Sequence, residues 1–302
     1  MIADKFVDLY ARNAGLRDKL VAERDVVLTY ALAALIDDGV IIDLAFKGGT
    51  CLRKLVFGSS GRFSEDLDFT LAANQSEDDV LLRLVEVFNR THHGITFTFD
   101  EYYKTDDDTS FGGDVFYRHD WNDRGHFRLQ VSLRERPTLP VVAQVMQPQS
   151  YFAQLEFAPS AVRILAPIEM IAEKVRASFQ RAKVRDLYDL HRFATTPFDG
   201  ELLRKLVVLK LWQVRDPFDP ELFFAQLRDG RYDWEDLHRL LRSSERLEPE
   251  DVLRSVETRF AVLRSITELE DEVIANAKSG WNEPLAERLR AEILTRFVAT
   301  ST

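Results

Sequence analysis

The sequence predicts an α+β fold with a strand-rich N-terminal half and a helical C-terminal half. Between about residues 41 and 165, short segments rich in β-branched and aromatic residues indicate strands, as in 95–103 (ITFTFDEYY). After Pro167 the pattern changes, and apolar residues recur at helical spacing through nearly all of 201–298, with breaks at prolines and glycines. We therefore expect two domains, residues 1–165 built around a sheet and residues 166–302 built from helices.

The N-terminal half begins with a helix and continues with strands and turns. Residues 16–38 carry apolar side chains at helical spacing, and Gly39 is placed to end this helix because glycine tolerates the left-handed conformation. The apolar run 41–46 (IIDLAF) predicts a buried strand that stops at Lys47. A short helix is expected to start at the glycines that follow, and 62–71 (RFSEDLDFTL) predicts a second strand.

Composition and charge limit the classes of function. The chain has 302 residues, of which 45% are hydrophobic and 30% charged, as in ordinary folded proteins. Its net charge of −10 argues against broad, sequence-independent binding to nucleic acid. The single cysteine, Cys51, excludes an intramolecular disulfide and fits a reducing compartment. We find no secretion signal and no apolar run long enough to cross a bilayer, so we expect a cytoplasmic protein without a membrane partner.

The stretch from Phe46 to Phe69 carries the chemistry. Two glycines, Gly48 and Gly49, let the backbone approach a ligand closely, and a helix that begins there directs N–H donors at it, which suits a triphosphate. Asp66 and Asp68 are two residues apart on a predicted strand, so both carboxylates project from one face. Two adjacent carboxylates repel each other unless a cation lies between them, and Mg²⁺ prefers such oxygen ligands and bridges phosphates.

The order of strand, Gly-Gly-Thr, helix and acid-bearing strand resembles the DNA polymerase β-like nucleotidyltransferases. Within that superfamily, 47–50 (KGGT) and 62–69 (RFSEDLDF) resemble the AbiEii/AbiGii-type toxin family, which includes the mycobacterial MenT toxins. Two later stretches resemble the same family: 168–177 (IEMIAEKVRA) is similar to its lysine motif, and 183–190 (KVRDLYDL) to the helix that follows. Motifs in the family's order therefore span residues 46–190.

This resemblance implies both a fold and an activity. The fold is a polymerase β-like core, with a mixed or antiparallel sheet and flanking helices, followed by a helical C-terminal domain. The activity is that of a toxin that transfers a nucleotide from an NTP to an acceptor with the help of Mg²⁺ or Mn²⁺. Some MenT relatives modify the 3′ acceptor end of tRNA, so RNA is the expected acceptor. A cognate antitoxin protein is the expected partner.

The resemblance also implies roles for individual residues. Asp66 and Asp68 are the expected metal ligands. From the helical domain, Lys174 is expected to neutralise phosphate charge, and Asp186 to complete the catalytic site as the family's later acid. The residues expected to bind the nucleotide are Lys47, Gly48, Gly49, Thr50, Arg62 and Ser64.

The sequence departs from the superfamily at one position. Polymerase β-like enzymes usually place a third carboxylate on a strand next to the paired acids. The candidate strand here, 127–133, carries Gln130 at that position. Glu135 and Asp114 are other acids nearby in the sequence, and no motif aligns either of them. Either the metal site lacks a third carboxylate or Asp186 takes over part of its role.

Other interpretations of the same residues stay open. The acceptor can instead be a protein hydroxyl, which the acidic net charge favours, or the chain can be an NTP-binding or partner-binding module with weakened catalysis, which Gln130 favours. Lys174 can be a solvated helix lysine, and Asp186 and Asp189 can pair with basic neighbours on their own helix. We expect Tyr188 in the core, Cys51 in a buried structural position and His119 on the surface.

Overall fold

The computed structural model describes residues 2–105, 108–279 and 282–300. The chain forms two compact units. The first comprises Met1–Leu165 together with His238–Glu245, and the second comprises Ala166–Leu237 together with Arg246–Thr302. A short segment from the C-terminal half thus belongs to the N-terminal unit.

The first unit is built around a mixed sheet, in the spatial order β3-β4-β5-β6-β2-β1-β8-β7. Two of the strand pairs, β1 with β8 and β2 with β6, are parallel, and the other neighbours are antiparallel. The described strands are β1 (Leu44–Lys47), β2 (Leu67–Leu71), β3 (Thr91–His92), β4 (Ile95–Lys104), β5 (Ser110–His119), β6 (Asn122–Ser132), β7 (Val142–Gln144) and β8 (Val162–Ile164). The predicted α+β class, with strands confined to the N-terminal half, is confirmed.

Helices of the first unit are α1 (Asp4–Ala14), α2 (Lys19–Asp37), α3 (Gly48–Cys51) and α4 (Glu77–Val87). Helix α2 begins where the side chain of Asp18 accepts a hydrogen bond from the backbone N–H of Leu20 at 2.8 Å. It ends before Gly39, whose φ of 70° is the left-handed conformation expected at this position. Most of α2 is buried, because apolar residues occupy nearly its whole circumference.

Two predicted strands are shorter in the structure. Residues Val40–Asp43 form a 3-10 turn, so the strand predicted over 41–46 begins only at Leu44. The strand predicted over 62–71 begins at Leu67, and the expectation that Asp66 lies on it is wrong. Strand β1 ends at Lys47, which pairs with Asp68, and the chain then turns into α3. Leu67 still pairs with Leu129 of β6, and Asp66 lies in the segment that leads into β2.

The second unit is helical. Its helices are α5 (Pro167–Gln180), α6 (Val184–Ala194), α7 (Gly200–Gln213), α8 (Pro220–Asp229), α9 (Trp234–His238), α10 (Pro249–Phe260), α11 (Glu268–Ser279) and α12 (Glu283–Thr300). Helix α7 is buried along most of its length, and its lysine Lys210 is neutralised by Glu169 at 2.9 Å and Glu173 at 3.0 Å. Within the described residues, no helix combines the length and the apolar composition that crossing a membrane requires.

Candidate active site

The two glycines after β1 are packed tightly against side chains of the acid-bearing segment. Gly48 has φ of 77°, and a methyl group in place of its hydrogen would overlap the carboxylate of Asp68. A methyl group on Gly49 would lie 2.6 Å from Nη2 of Arg62 and 2.7 Å from Oγ of Ser64. Gly48 therefore requires glycine, and Gly49 leaves the space that the ends of the Arg62 and Ser64 side chains occupy. The structure brings these predicted nucleotide-binding residues together beside one of the predicted metal ligands.

Thr50 and Lys47 connect the turn at Gly48 and Gly49, called the glycine corner below, to the two acids. The Thr50 side chain is buried, and its hydroxyl donates a hydrogen bond to the backbone carbonyl of Asp66. Lys47 is the strand partner of Asp68. Directly paired residues project from the same face of a sheet, so the lysine and the carboxylate share that face. Asp66 and Asp68 are both half-buried, which leaves part of each side chain accessible.

Gln130 occupies the strand position at which polymerase β-like enzymes usually have a third carboxylate. In the parallel pairing of β2 with β6, Asp68 is the direct partner of Gln130, which confirms the predicted alignment. The side-chain amide of Gln130 donates to Oγ of Ser110 at 3.0 Å. Asp114 pairs in register with Arg128, two residues from the partner of Asp68.

Within the described residues, no group of three or more histidine, cysteine or acidic side chains is arranged to hold a metal ion. Two carboxyl-bearing residues nevertheless flank a glycine corner whose backbone can approach phosphate. Carboxylate and phosphate oxygens are the ligands that Mg²⁺ prefers, and Mg²⁺ commonly uses one or two protein carboxylates together with substrate phosphates. The residues present therefore fit a magnesium ion that is bound jointly with a nucleotide.

The segment between the glycine corner and β2 is held by contacts that the sequence did not reveal. Glu65 accepts hydrogen bonds from Arg24 at 2.8 Å and from Arg239 at 3.0 Å. The backbone N–H of Phe63 donates to the carbonyl of Leu240 at 2.8 Å. Arg239 and Leu240 lie in the segment 238–245, and their contacts with Glu65 and Phe63 explain why this segment belongs to the first unit. Glu65 thus fixes the segment that contains Asp66.

A buried polar cluster lies behind the glycine corner, where α3 continues into a π-helical turn over Leu52–Val56. Lys54 is buried in this turn and donates to Asp25 of α2, to its carboxylate at 3.0 Å and to its carbonyl at 2.7 Å. Tyr10 donates to the same carboxylate at 2.6 Å. Burial raises the pKa of Asp25, but Lys54 and Arg53 outweigh it, so the pKa stays below its usual value. The cluster joins the corner rigidly to α2.

In the second unit, Lys174 and Asp186 form part of one ionic cluster. Lys174 lies 2.8 Å from both Asp186 and Asp189, and Arg181 lies 2.9 Å from Asp186. Burial raises the pKa of Asp186, but Lys174 and Arg181 lower it more strongly. The pKa of this carboxyl is therefore well below its ordinary value. The partners seen for Asp186 are therefore Lys174 and Arg181, whereas Arg185 pairs with Asp236 at 2.6 Å.

The sequence also predicts whether Tyr188, Cys51 and His119 are buried or exposed. Tyr188 and Cys51 are buried, as predicted. The expectation that His119 is a surface residue is wrong, because its side chain is fully buried and its Nε2 lies 2.7 Å from the Glu23 carboxylate. His119 ends β5 and Glu23 lies in α2, 96 residues earlier, so the contact forms only when the two elements pack.

Comparisons with known proteins identify the family. The family model described as the nucleotidyl transferase AbiEii toxin of type IV toxin–antitoxin systems matches residues 30–294. Among solved structures, the nucleotidyltransferase toxin MenT4 from Mycobacterium tuberculosis H37Rv has a TM-score of 0.80 at 24% identity, over 97% of this chain and 100% of that one. JHP933 from Helicobacter pylori has a TM-score of 0.45 at 20% identity, over 82% and 97% of the two chains. The search of curated proteins gave no match. Because the family model covers most of its length, the chain belongs to the AbiEii family of nucleotidyltransferase toxins of type IV toxin–antitoxin systems.

Proposed function

We propose that this toxin transfers a nucleotide from an NTP to the 3′ end of RNA, with tRNA as the acceptor, in a reaction that depends on Mg²⁺. The observation that carries the proposal is the packing of Gly48 against the Asp68 carboxylate, with Asp66 tied to the same corner through Thr50. This arrangement places backbone that can approach phosphate beside two acids that can hold a cation. The choice of RNA rests on the resemblance to the MenT toxins.

In the proposed reaction, the acceptor's hydroxyl oxygen forms a bond to the α-phosphorus of the NTP. The bond from that phosphorus to the bridging oxygen breaks, pyrophosphate leaves, and the hydroxyl proton passes to water. Asp66 and Asp68 would hold a magnesium ion, which would neutralise phosphate charge and lower the pKa of the hydroxyl. Gly48 and Gly49 let the backbone cradle the phosphates, and Lys47 and Arg62 add positive charge there.

Lys174 and Asp186 have the roles of the family's phosphate-binding lysine and later acid in this proposal. Their ionic contact supports a joint role, because each side chain holds the other in one position and Lys174 lowers the pKa of Asp186. Membership of the family implies a cognate antitoxin that controls the toxin. We expect the protein to act in the cytoplasm, where NTPs and tRNA are available.

A protein hydroxyl is the second candidate acceptor. The net charge of −10 favours it, because an acidic surface repels the phosphates of RNA.

The experiment incubates purified protein with each of the four labelled NTPs, Mg²⁺ and total cellular RNA or total cellular protein. We expect label in an RNA band that nuclease removes and protease does not, and loss of both labelling and growth inhibition in Asp66→Ala. Asp123→Asn, at a highly exposed position, is the matched control that keeps both. Labelling that survives nuclease but not protease supports the second candidate. Undiminished RNA labelling by Asp66→Ala contradicts the proposed site.

A further inference from the structure

A single row of paired residues crosses the sheet through Asp68. Lys47 of β1 pairs with Asp68 of β2, and Asp68 pairs with Gln130 of β6. Gln130 pairs with Gly112 of β5, and Gly112 pairs with Tyr103 of β4. Because directly paired residues project from the same face, the Tyr103 side chain shares the face of the Asp68 carboxylate. The phosphate-binding corner follows β1, so Tyr103 lies on the opposite side of Asp68 from that corner.

An irregularity in β4 places this tyrosine in the row. Asp100 pairs with Asp114 and Tyr103 with Gly112, so β4 has one residue more than β5 between these two pairs. Glu101 lies in the bulge with φ of 50°, a conformation that costs a non-glycine residue energy. A regular strand would instead pair Tyr102 with Gly112. The bulge therefore turns Tyr103 toward the face of the acids, as bulges beside active sites often do.

Gly112 leaves space for the ring of Tyr103, which the bulge places on this face. A methyl group on Gly112 would lie 2.9 Å from the Tyr103 hydroxyl and 3.1 Å from the carbon that bears it. The end of the ring thus lies over the Gly112 backbone, one strand away from Gln130. Burial raises the pKa of the Tyr103 phenol, and Arg128 lowers it. The carboxylates of Asp68, Asp114 and Asp66 raise this pKa further, so the phenol is close enough to all three to interact with them electrostatically.

Arg128 lies beside the Tyr103 ring and forms a larger surface together with it. Its guanidinium carbon lies 6.0 Å from the centre of the Tyr103 ring, and 61% of its side chain is exposed. Asp114, its strand partner, lies 3.6 Å away and holds the guanidinium near the ring. Aromatic rings and arginine guanidinium planes are the two groups on which proteins stack unpaired bases. Tyr103 and Arg128 together have the composition of a base-stacking surface.

We propose that Tyr103 and Arg128 bind the unpaired terminal base of the RNA acceptor. This inference rests on the proposed function. In an in-line displacement the attacking hydroxyl approaches from the side opposite the leaving pyrophosphate. The phosphates occupy the corner after β1, so the acceptor enters from the side of β6, β5 and β4. A base stacked on Tyr103 positions the terminal ribose between this surface and Asp68. The same surface explains how an acidic protein selects RNA, since stacking does not require a positive net charge.

The test measures KM for the acceptor and for the NTP separately, with the RNA species that the wild-type protein labels. We expect Tyr103→Ala to raise the acceptor KM about tenfold, the effect of losing one stacked base, while the KM for the NTP is unchanged. Tyr103→Phe keeps the ring and is expected to restore the acceptor KM. Tyr102→Ala is the matched control, because the neighbouring tyrosine is 48% exposed and lies outside the row. A wild-type acceptor KM in Tyr103→Ala, or a raised KM for the NTP alone, overturns the inference.

A second measurement uses only the wild-type protein and so does not depend on the folding of a variant. A complementary oligonucleotide is annealed to the acceptor so that its 3′-terminal nucleotides are paired. We expect transfer to fall about tenfold, because a paired base cannot stack on Tyr103. Equal transfer to paired and unpaired ends overturns the inference and leaves the proposed function intact. If the wild-type protein labels no RNA at all, the proposed function itself fails.

Discussion

Alanine substitutions at Gly48 and Gly39 distinguish the effect of backbone strain from the effect of moving Asp68. Gly48 has φ of 77°, and Gly39 at the end of α2 has φ of 70°, so alanine at either position bears a similar conformational cost of about 1–2 kcal/mol. The two surroundings differ. A methyl group on Gly48 overlaps the Asp68 carboxylate, whereas the nearest atom to a methyl group on Gly39 is Nη2 of Arg83 at 3.7 Å. Only Gly48→Ala must therefore move Asp68.

We expect both variants to melt a few degrees below the wild-type protein, at about 2–4 °C per kcal/mol for a unit of this size. Gly48→Ala is also expected to lose at least about a hundredfold in transfer rate, because misplacement of a reacting group by about 1 Å has an effect of this order. Gly39→Ala keeps its rate. The assays are transfer of label from NTP, growth inhibition on expression, and thermal unfolding. Wild-type transfer by Gly48→Ala, or an equal loss in Gly39→Ala, refutes the reasoning.

Three other predictions concern Lys54, Gln130 and the pair of Lys174 and Asp186. Lys54→Met leaves the buried Asp25 carboxylate without its lysine and is expected to lower the free energy of unfolding by about 3 kcal/mol, measured by urea denaturation. Gln130→Asp places a third carboxylate beside Asp68 and is expected to reduce about tenfold the Mg²⁺ concentration needed for half-maximal transfer; an unchanged requirement contradicts the role given to this position. The pKa of Asp186 is lowered in the folded protein, so its contribution to stability is present above its ordinary pKa of 3.8 and is lost as the pH falls through the lowered value. Lys174→Met removes the principal cation, and its acid unfolding, followed by circular dichroism, is expected at a higher pH than in the wild type or in the control Lys183→Met.

Local signals in the sequence predicted much of the fold. Gly39 and Pro167 mark a helix end and a helix start because each residue's backbone preference acts at its own position. The alternation of apolar side chains in 62–71 correctly placed Asp68 on a strand, but it extended that strand too far. Strand β2 begins at Leu67, which pairs with Leu129 of β6, whereas the pairing with β1 ends at Lys47 and Asp68 because the chain turns at Gly48.

The contacts that support the site could not be predicted because they join distant parts of the chain. Glu65 and Arg239 are 174 residues apart, and neither stands in a pattern that suggests the other. Tyr103 rather than Tyr102 lies on the face of the acids because of a bulge in β4. The alternation of side chains in ITFTFDEYY is equally compatible with a strand that has no bulge. Lys54 lies between Leu52 and Leu55 in a segment that predicts a helix, but the acid that neutralises it lies in α2.

We propose that Asp68 and the glycine corner bind a nucleotide together with a divalent cation. Calorimetric titration of each NTP into the wild-type protein and into Asp68→Asn, with Mg²⁺ and with EDTA, tests it most directly. We predict binding of at least one NTP to the wild-type protein with Mg²⁺, and at least about tenfold weaker binding in EDTA or in Asp68→Asn. Equal affinity in all of these conditions would contradict the claim.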